Sequence, residues 1–173
     1  GQSSAVAQTD DFNEGNDAGW TRYDPGTQLT GLGAPFNVPG VYSFPSGGYR
    51  MQGFAFPAAF GAGPTRLGSY RDQVDYSNFQ VGVELVTWDN SLNQAFGLLL
   101  RANSLFLGGT EGYTATYDNS SGDLQINRVL SEAPSELGAT VYLLDPASEP
   151  YRLVAEGYNS LMVARIFRSS DPN

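Results

Sequence analysis

Glycine and proline interrupt this chain every few residues, and that spacing limits what it can fold into. With 21 Gly and 10 Pro in 173 residues, no window of about eleven residues or more carries a clean 3.6-residue apolar repeat. Short strands joined by turns are the remaining solution. The clearest strand is Phe79 to Leu85, with Phe79, Val81, Val83 and Leu85 on one parity and Gln80, Gly82 and Glu84 on the other. A period of two is what a half-buried antiparallel strand shows.

Other segments follow the same pattern. Trp20 to Tyr23 and Thr65 to Arg71 read as short strands. Gly48 to Phe56 alternates, with Tyr49 and Met51 on one parity and Phe54 and Phe56 on the other, and the switch at Gly53 suggests a bulge. In Asn93 to Arg101, Phe96, Leu98 and Leu100 share one parity and Ala95, Gly97 and Leu99 are also apolar, so this strand is expected between two covered faces. Gly112 to Tyr117 and Leu124 to Arg128 flank the turn Asp118-Asn119-Ser120-Ser121-Gly122-Asp123, and Tyr151 to Glu156 and Leu161 to Phe167 flank Gly157 to Ser160. The stretch Gly26 to Ser46, with Pro35, Pro39 and Pro45, reads as a covering loop. Regularly spaced short strands predict an antiparallel sandwich or barrel.

What the chain lacks removes whole classes of chemistry. It has no His and no Cys, and all nine of its cations are Arg. Nucleophile systems built on His or Cys, thiol redox chemistry and a zinc site of the usual kind are excluded. So are Schiff bases, a P-loop and Lys–Asn cross-links, which need Lys. Nine basic against eighteen acidic residues give a net charge of −9, which argues against nucleic acid as a partner. No apolar run reaches the ~20 residues that span a bilayer. A core of this size needs no disulfide, and the acidic, Lys-free, Gly- and Tyr-rich composition suits an extracellular or cell-surface protein. A chain opening on Gly1 reads as a processed or trimmed form.

The order of motifs carries a resemblance. Asp10-Asp11-Phe12-Asn13 leads to Gly19-Trp20-Thr21, then Phe79 to Leu85 runs into Trp88-Asp89-Asn90. Ala95 to Arg101 precedes Gly112-Tyr113, and Tyr151-Arg152-Leu153 precedes a Gly turn and Leu161-Met162-Val163. This resembles the concanavalin-A-like jelly roll, more narrowly the laminin-G-like domains of secreted bacterial proteins. The resemblance implies an all-β, antiparallel two-sheet jelly-roll sandwich over residues 10–168, between an extended tail at 1–9 and a short one at 169–173. It also implies a range of roles: lectins, carbohydrate-binding modules, glycoside hydrolases, adhesins and structural domains.

The residues weigh these roles as follows. Hydrolases of this resemblance carry a Glu-x-Asp-x-(x)-Glu strand. Here only Glu84 and Asp89 come near it, and an offset of five puts them on opposite faces of a regular strand. Sugar binding would use Trp88 beside Asp89 and Asn90, with Tyr113, Tyr117 and Tyr158 behind it, against the alternative that these rings fill the core. Ca²⁺ is the one cofactor the donors suit, at Asp118, Asn119 and Asp123 or at Asp10, Asp11, Asn13 and Glu14, although such residues build turns without an ion. No cofactor is required. Asn119-Ser120-Ser121 is a sequon that would make Asn119 a glycan acceptor. The tail residues Ala5, Val6 and Ala7 could add to a sheet edge of another copy. The leading expectation is a non-catalytic extracellular structural subunit that self-associates into a fibre or surface layer. The alternative is a glycan-binding, lectin-like module.

Overall fold

The structure, a computed structural model, describes residues 8–29, 31, 37–53, 66–71, 76–145 and 149–171. It is all-β, with antiparallel pairing in every sheet. Among the described residues no helix is long and apolar enough to cross a membrane. The chain divides into two compact units, residues 1–72 and 73–173, where the sequence reading drew one sandwich over 10–168.

Among the described residues the first unit holds four short strands: β1 (Thr21–Tyr23), β2 (Val41–Ser43), β3 (Arg50–Gln52) and β4 (Gly68–Tyr70). β1 pairs with β4, and β2 pairs with β3. Part of the expected covering loop is thus a strand, β2. The expected strand over Gly48 to Phe56 is described only to Gly53, so Phe54 and Phe56 lie outside the described residues. Strands this short bury little, and aromatic rings do the packing. Phe44 stacks on Tyr49 at 5.0 Å, Phe12 lies 4.8 Å from Tyr49 and 5.7 Å from Trp20, and Arg71 caps the Trp20 ring at 4.8 Å. The Tyr42 hydroxyl donates toward the Tyr23 carbonyl at 3.1 Å, and burial followed by the nearby Asp24 charge pushes its pKa up to about 12.

The second unit contains β5 (Phe79–Leu85), β6 (Ala95–Ser104), β7 (Glu111–Asp118), β8 (Asp123–Leu130), β9 (Ala133–Val141), β10 (Tyr151–Tyr158) and β11 (Leu161–Arg168). They form a four-stranded sheet, β6-β7-β8-β9, and a three-stranded sheet, β11-β10-β5. Period-two alternation sends Tyr117, Leu124 and Ala115 from the first and Leu153, Ala155 and Ile166 from the second into shared buried clusters. β5 spans the expected residues, with Phe79, Val83 and Leu85 half-buried and Gln80, Gly82 and Glu84 exposed.

Two expectations are corrected here. β6 does not lie between covered faces: it is an edge strand, and Ala95, Gly97 and Leu99 are exposed. β9 was not expected at all. It follows β8 through a two-residue turn in which Ser131 and Glu132 both hold positive φ, 49° and 66°, the geometry a tight right-twisted hairpin requires.

Candidate functional site

Three groups of residues were expected to carry function, and the structure treats them differently. Trp88 is half-buried against the core, with ring centroids 5.1 Å from Phe96, 6.1 Å from Tyr151 and 6.4 Å from Tyr117. Its indole N–H donates to Asn90 Oδ1 at 3.2 Å. Tyr117, expected at a binding surface, is instead a core residue. It is 3% exposed, its hydroxyl donates to the Tyr142 carbonyl at 3.2 Å and it accepts from the Leu144 N–H at 3.4 Å. The alternation that groups Tyr113, Ala115 and Tyr117 on one face was right, but that face is the one the other sheet covers. Asp89 stays exposed and accepts from the Ser91 N–H at 2.9 Å and the Ser91 hydroxyl at 2.6 Å. Those bonds hold its carboxyl below the usual carboxylate range. Tyr113 is half-buried beside Leu100 on the inner face of the four-stranded sheet.

The residues of the β7–β8 turn are committed to the turn itself. Asp118 Oδ1 accepts from the Ser120 N–H at 2.8 Å and the Ser120 hydroxyl at 2.6 Å, and Asp123 Oδ1 accepts from the Ser121 hydroxyl and from Gln125 Nε2. Burial raises the Asp118 pKa, but the hydrogen bonds from Ser120 and Ser121 outweigh it and the carboxyl lies low. Asn119, the sequon residue, is also engaged. Its Nδ2 donates to the Leu92 carbonyl at 2.7 Å and toward Asn90 Oδ1 at 3.4 Å, and its Oδ1 accepts from the Gln94 N–H at 2.8 Å. The side chain thus ties the β7–β8 turn to the loop between β5 and β6.

In the first unit, Asp10, Asp11 and Glu14 bring carboxylate oxygens within 4.8 Å of one another, the oxygen-rich donor set that Ca²⁺ takes. Two of the three already have partners. Asp10 Oδ2 accepts from Trp20 Nε1 at 2.7 Å and Arg71 at 2.8 Å, and Asp11 accepts from Asn13. The Trp20 bond is the largest influence that lowers the Asp10 pKa.

A third group concerns sheet edges. The tail residues Ala5, Val6 and Ala7 lie outside the described residues. Among the described residues, open sheet edges exist in the second unit. Every residue of β9 is exposed, with Leu137 at 60% and Val141 at 72%, and no described strand pairs along its outer side. β11 likewise borders its sheet, with Leu161 63% exposed. Sequence reasoning missed the β9 edge because Pro134, Gly138 and three Ala/Ser positions give it no strand signature.

Comparison of the chain with protein-family models, with curated proteins and with solved structures gives no match.

Proposed function

We propose that this chain is a non-catalytic extracellular structural subunit that self-associates through its open sheet edges. The observation that supports the reading is β9: nine residues, all exposed, at the border of a four-stranded sheet. An edge of that length presents backbone N–H and C=O groups, which soluble monomers ordinarily blunt with lysines, prolines, bulges or covering loops. Pro134 and the register shift at Leu137 interrupt the edge in part, and the chain has no Lys to complete the task. β9 carries one acid, Glu136, and β11 carries Arg165 and Arg168, which within the chain pair with Glu156 and Glu149. A contact between two different edges is heterologous and propagates unless it closes a ring. The tail residues Ala5, Val6 and Ala7 are a second segment able to add to such an edge.

The lectin-like alternative leans on Trp88, with Tyr113, Tyr117 and Tyr158 behind it; Trp88 and Tyr117 pack against the core and Tyr113 is half-buried, which leaves Tyr158 as the exposed ring. Sedimentation velocity over a wide concentration range, with negative-stain microscopy, tests the assembly reading. Concentration-dependent growth that Ala139→Lys with Val141→Lys abolishes is the expected result. A single monomeric species at every concentration overturns it.

A further inference from the structure

In the second unit a cleft of about 640 Å³ opens beside the β10–β11 turn. One wall is aliphatic and comes from the four-stranded sheet: Ile126, Gly138 and Leu137. Leu137 reaches it because the β8–β9 register shifts between Ile126 and Asn127, leaving Leu137 without a partner on β8. Leu161 and Met162 form the facing wall. The volume lies within the roughly 300–1,000 Å³ of small-molecule sites.

The charge in this cleft has one sign. Among the described residues Arg101 lines it and no carboxylate does. Arg101 sits inside β6 with φ at 47°, where pairing with β7 lapses between Leu100 and Ser104. A side-chain-bearing residue held in the left-handed region is strained, and such strain, like a bulge, recurs where a side chain is re-aimed for binding. The guanidinium donates to the Ser77 carbonyl at 3.2 Å and lies 5.7 Å from the Phe79 ring centroid. No carboxylate pairs with it among the described residues, and most of its five N–H groups remain to be used. Tyr113 adds a ring and a hydroxyl that has no partner among the described residues, and Arg128 stands opposite it in register.

We propose that this cleft binds a small amphipathic anion, an apolar chain or ring bearing one carboxylate or sulfate, with the anionic group on Arg101 and the apolar body against Ile126, Leu137, Leu161 and Met162. The bidentate geometry of a guanidinium suits such a group. Leu137 and Gly138 belong to β9 and Leu161 and Met162 to β11, the edges proposed to pair between copies, so binding is titrated at concentrations where sedimentation shows a monomer.

The probe is decanoate below its micelle concentration, titrated by calorimetry, with neutral decanamide as the control. Saturable one-to-one binding, weakened at least tenfold for decanamide and for Arg101→Gln, is expected. Gly138→Phe, whose Cβ meets nothing within 4 Å, should fill the cleft and abolish binding, and its thermal melt shows whether the fold accommodates the ring. Thermal melts accompany both variants, and if Arg101→Gln melts early the decision rests on Gly138→Phe and decanamide. Absence of saturable binding to the wild type, equal affinity for decanamide, or unchanged binding in a folded Gly138→Phe overturns the proposal.

Discussion

Asn119 and Gln94 hold each other by a reciprocal pair of hydrogen bonds: the Asn119 N–H donates to the Gln94 carbonyl at 3.1 Å, and the Gln94 N–H donates to Asn119 Oδ1 at 2.8 Å. The Asn119 amide also donates to the Leu92 carbonyl at 2.7 Å. Asn119→Ala leaves two backbone groups in search of water. The expected cost is about 1–2 kcal/mol, toward the lower end because the site is partly exposed. Asn119→Asp keeps the acceptor for Gln94 but replaces the donor to Leu92, and should cost as much or more. Urea denaturation of both variants, read by tryptophan fluorescence, checks this. A stability equal to wild type in Asn119→Ala would show that the pair is incidental.

Two glycines in the same sheet should respond in opposite ways to an added methyl. A Cβ at Gly97 would run into the Ala115 carbonyl oxygen and lie 2.9 Å from a Leu153 methyl, and φ there is 155°. Gly97→Ala should therefore destabilise the fold by roughly 1–3 kcal/mol, the range of overpacked and strained positions. Gly138 has open space where its Cβ would go. Gly138→Ala should change stability by no more than about 0.5–1 kcal/mol, with stabilisation as the favoured sign, because alanine restricts the unfolded chain. Thermal melts of the two variants side by side decide it.

What could be read in the sequence is what local periodicity encodes. β5 was legible because Phe79, Val81, Val83 and Leu85 alternate with polar or small residues, and Phe79, Val83 and Leu85 pack against the core while Val81 stays exposed. β9 was not, because Pro134, Gly138 and its small residues pack on nothing, and an exposed edge imposes no pattern. The face of Tyr117 was legible, but its depth was not. Depth depends on Tyr151 and Trp88 arriving from strands and loops far along the chain. The Asn119–Gln94 pair spans 25 residues and exists only once β6 lies beside β7. Arg101 reads as an ordinary strand cation until the bulge turns it toward the cleft.

Tyr117 and Tyr113 lie four residues apart on the inward parity of β7, and removing one hydroxyl should matter where removing the other does not. The Tyr117 hydroxyl bonds the Tyr142 carbonyl at 3.2 Å and the Leu144 N–H at 3.4 Å, fastening the segment that leaves β9. Tyr117→Phe should cost about 1 kcal/mol, with hydrogen exchange at Leu144 accelerated. Tyr113→Phe loses a hydroxyl with no partner among the described residues and should melt like the wild type. Equal losses in the two variants would contradict this assignment of roles.

Acid should destabilise the protein over a defined window. The carboxyls of Asp10, Asp17, Asp89 and Asp118 all titrate below the ordinary 3.8 in the folded chain. The main cause is the Trp20 indole for Asp10, Arg22 for Asp17 and the Ser91 hydroxyl for Asp89, while for Asp118 the bonds from Ser120 and Ser121 overcome burial. Each group thus binds its proton more weakly folded than unfolded. The stabilisation is complete above the unfolded value and is lost as pH falls through the lowered folded values. Urea midpoints should be level from about pH 7 to 5 and fall steadily below about pH 4. Asp10→Asn should lower the midpoint at neutral pH, since it removes the carboxylate that Arg71 and Trp20 share, and should shrink the acid fall by the part that Asp10 contributes. A midpoint that stays level to pH 2, or an acid fall as large in Asp10→Asn as in the wild type, would remove that carboxylate from the account of stability.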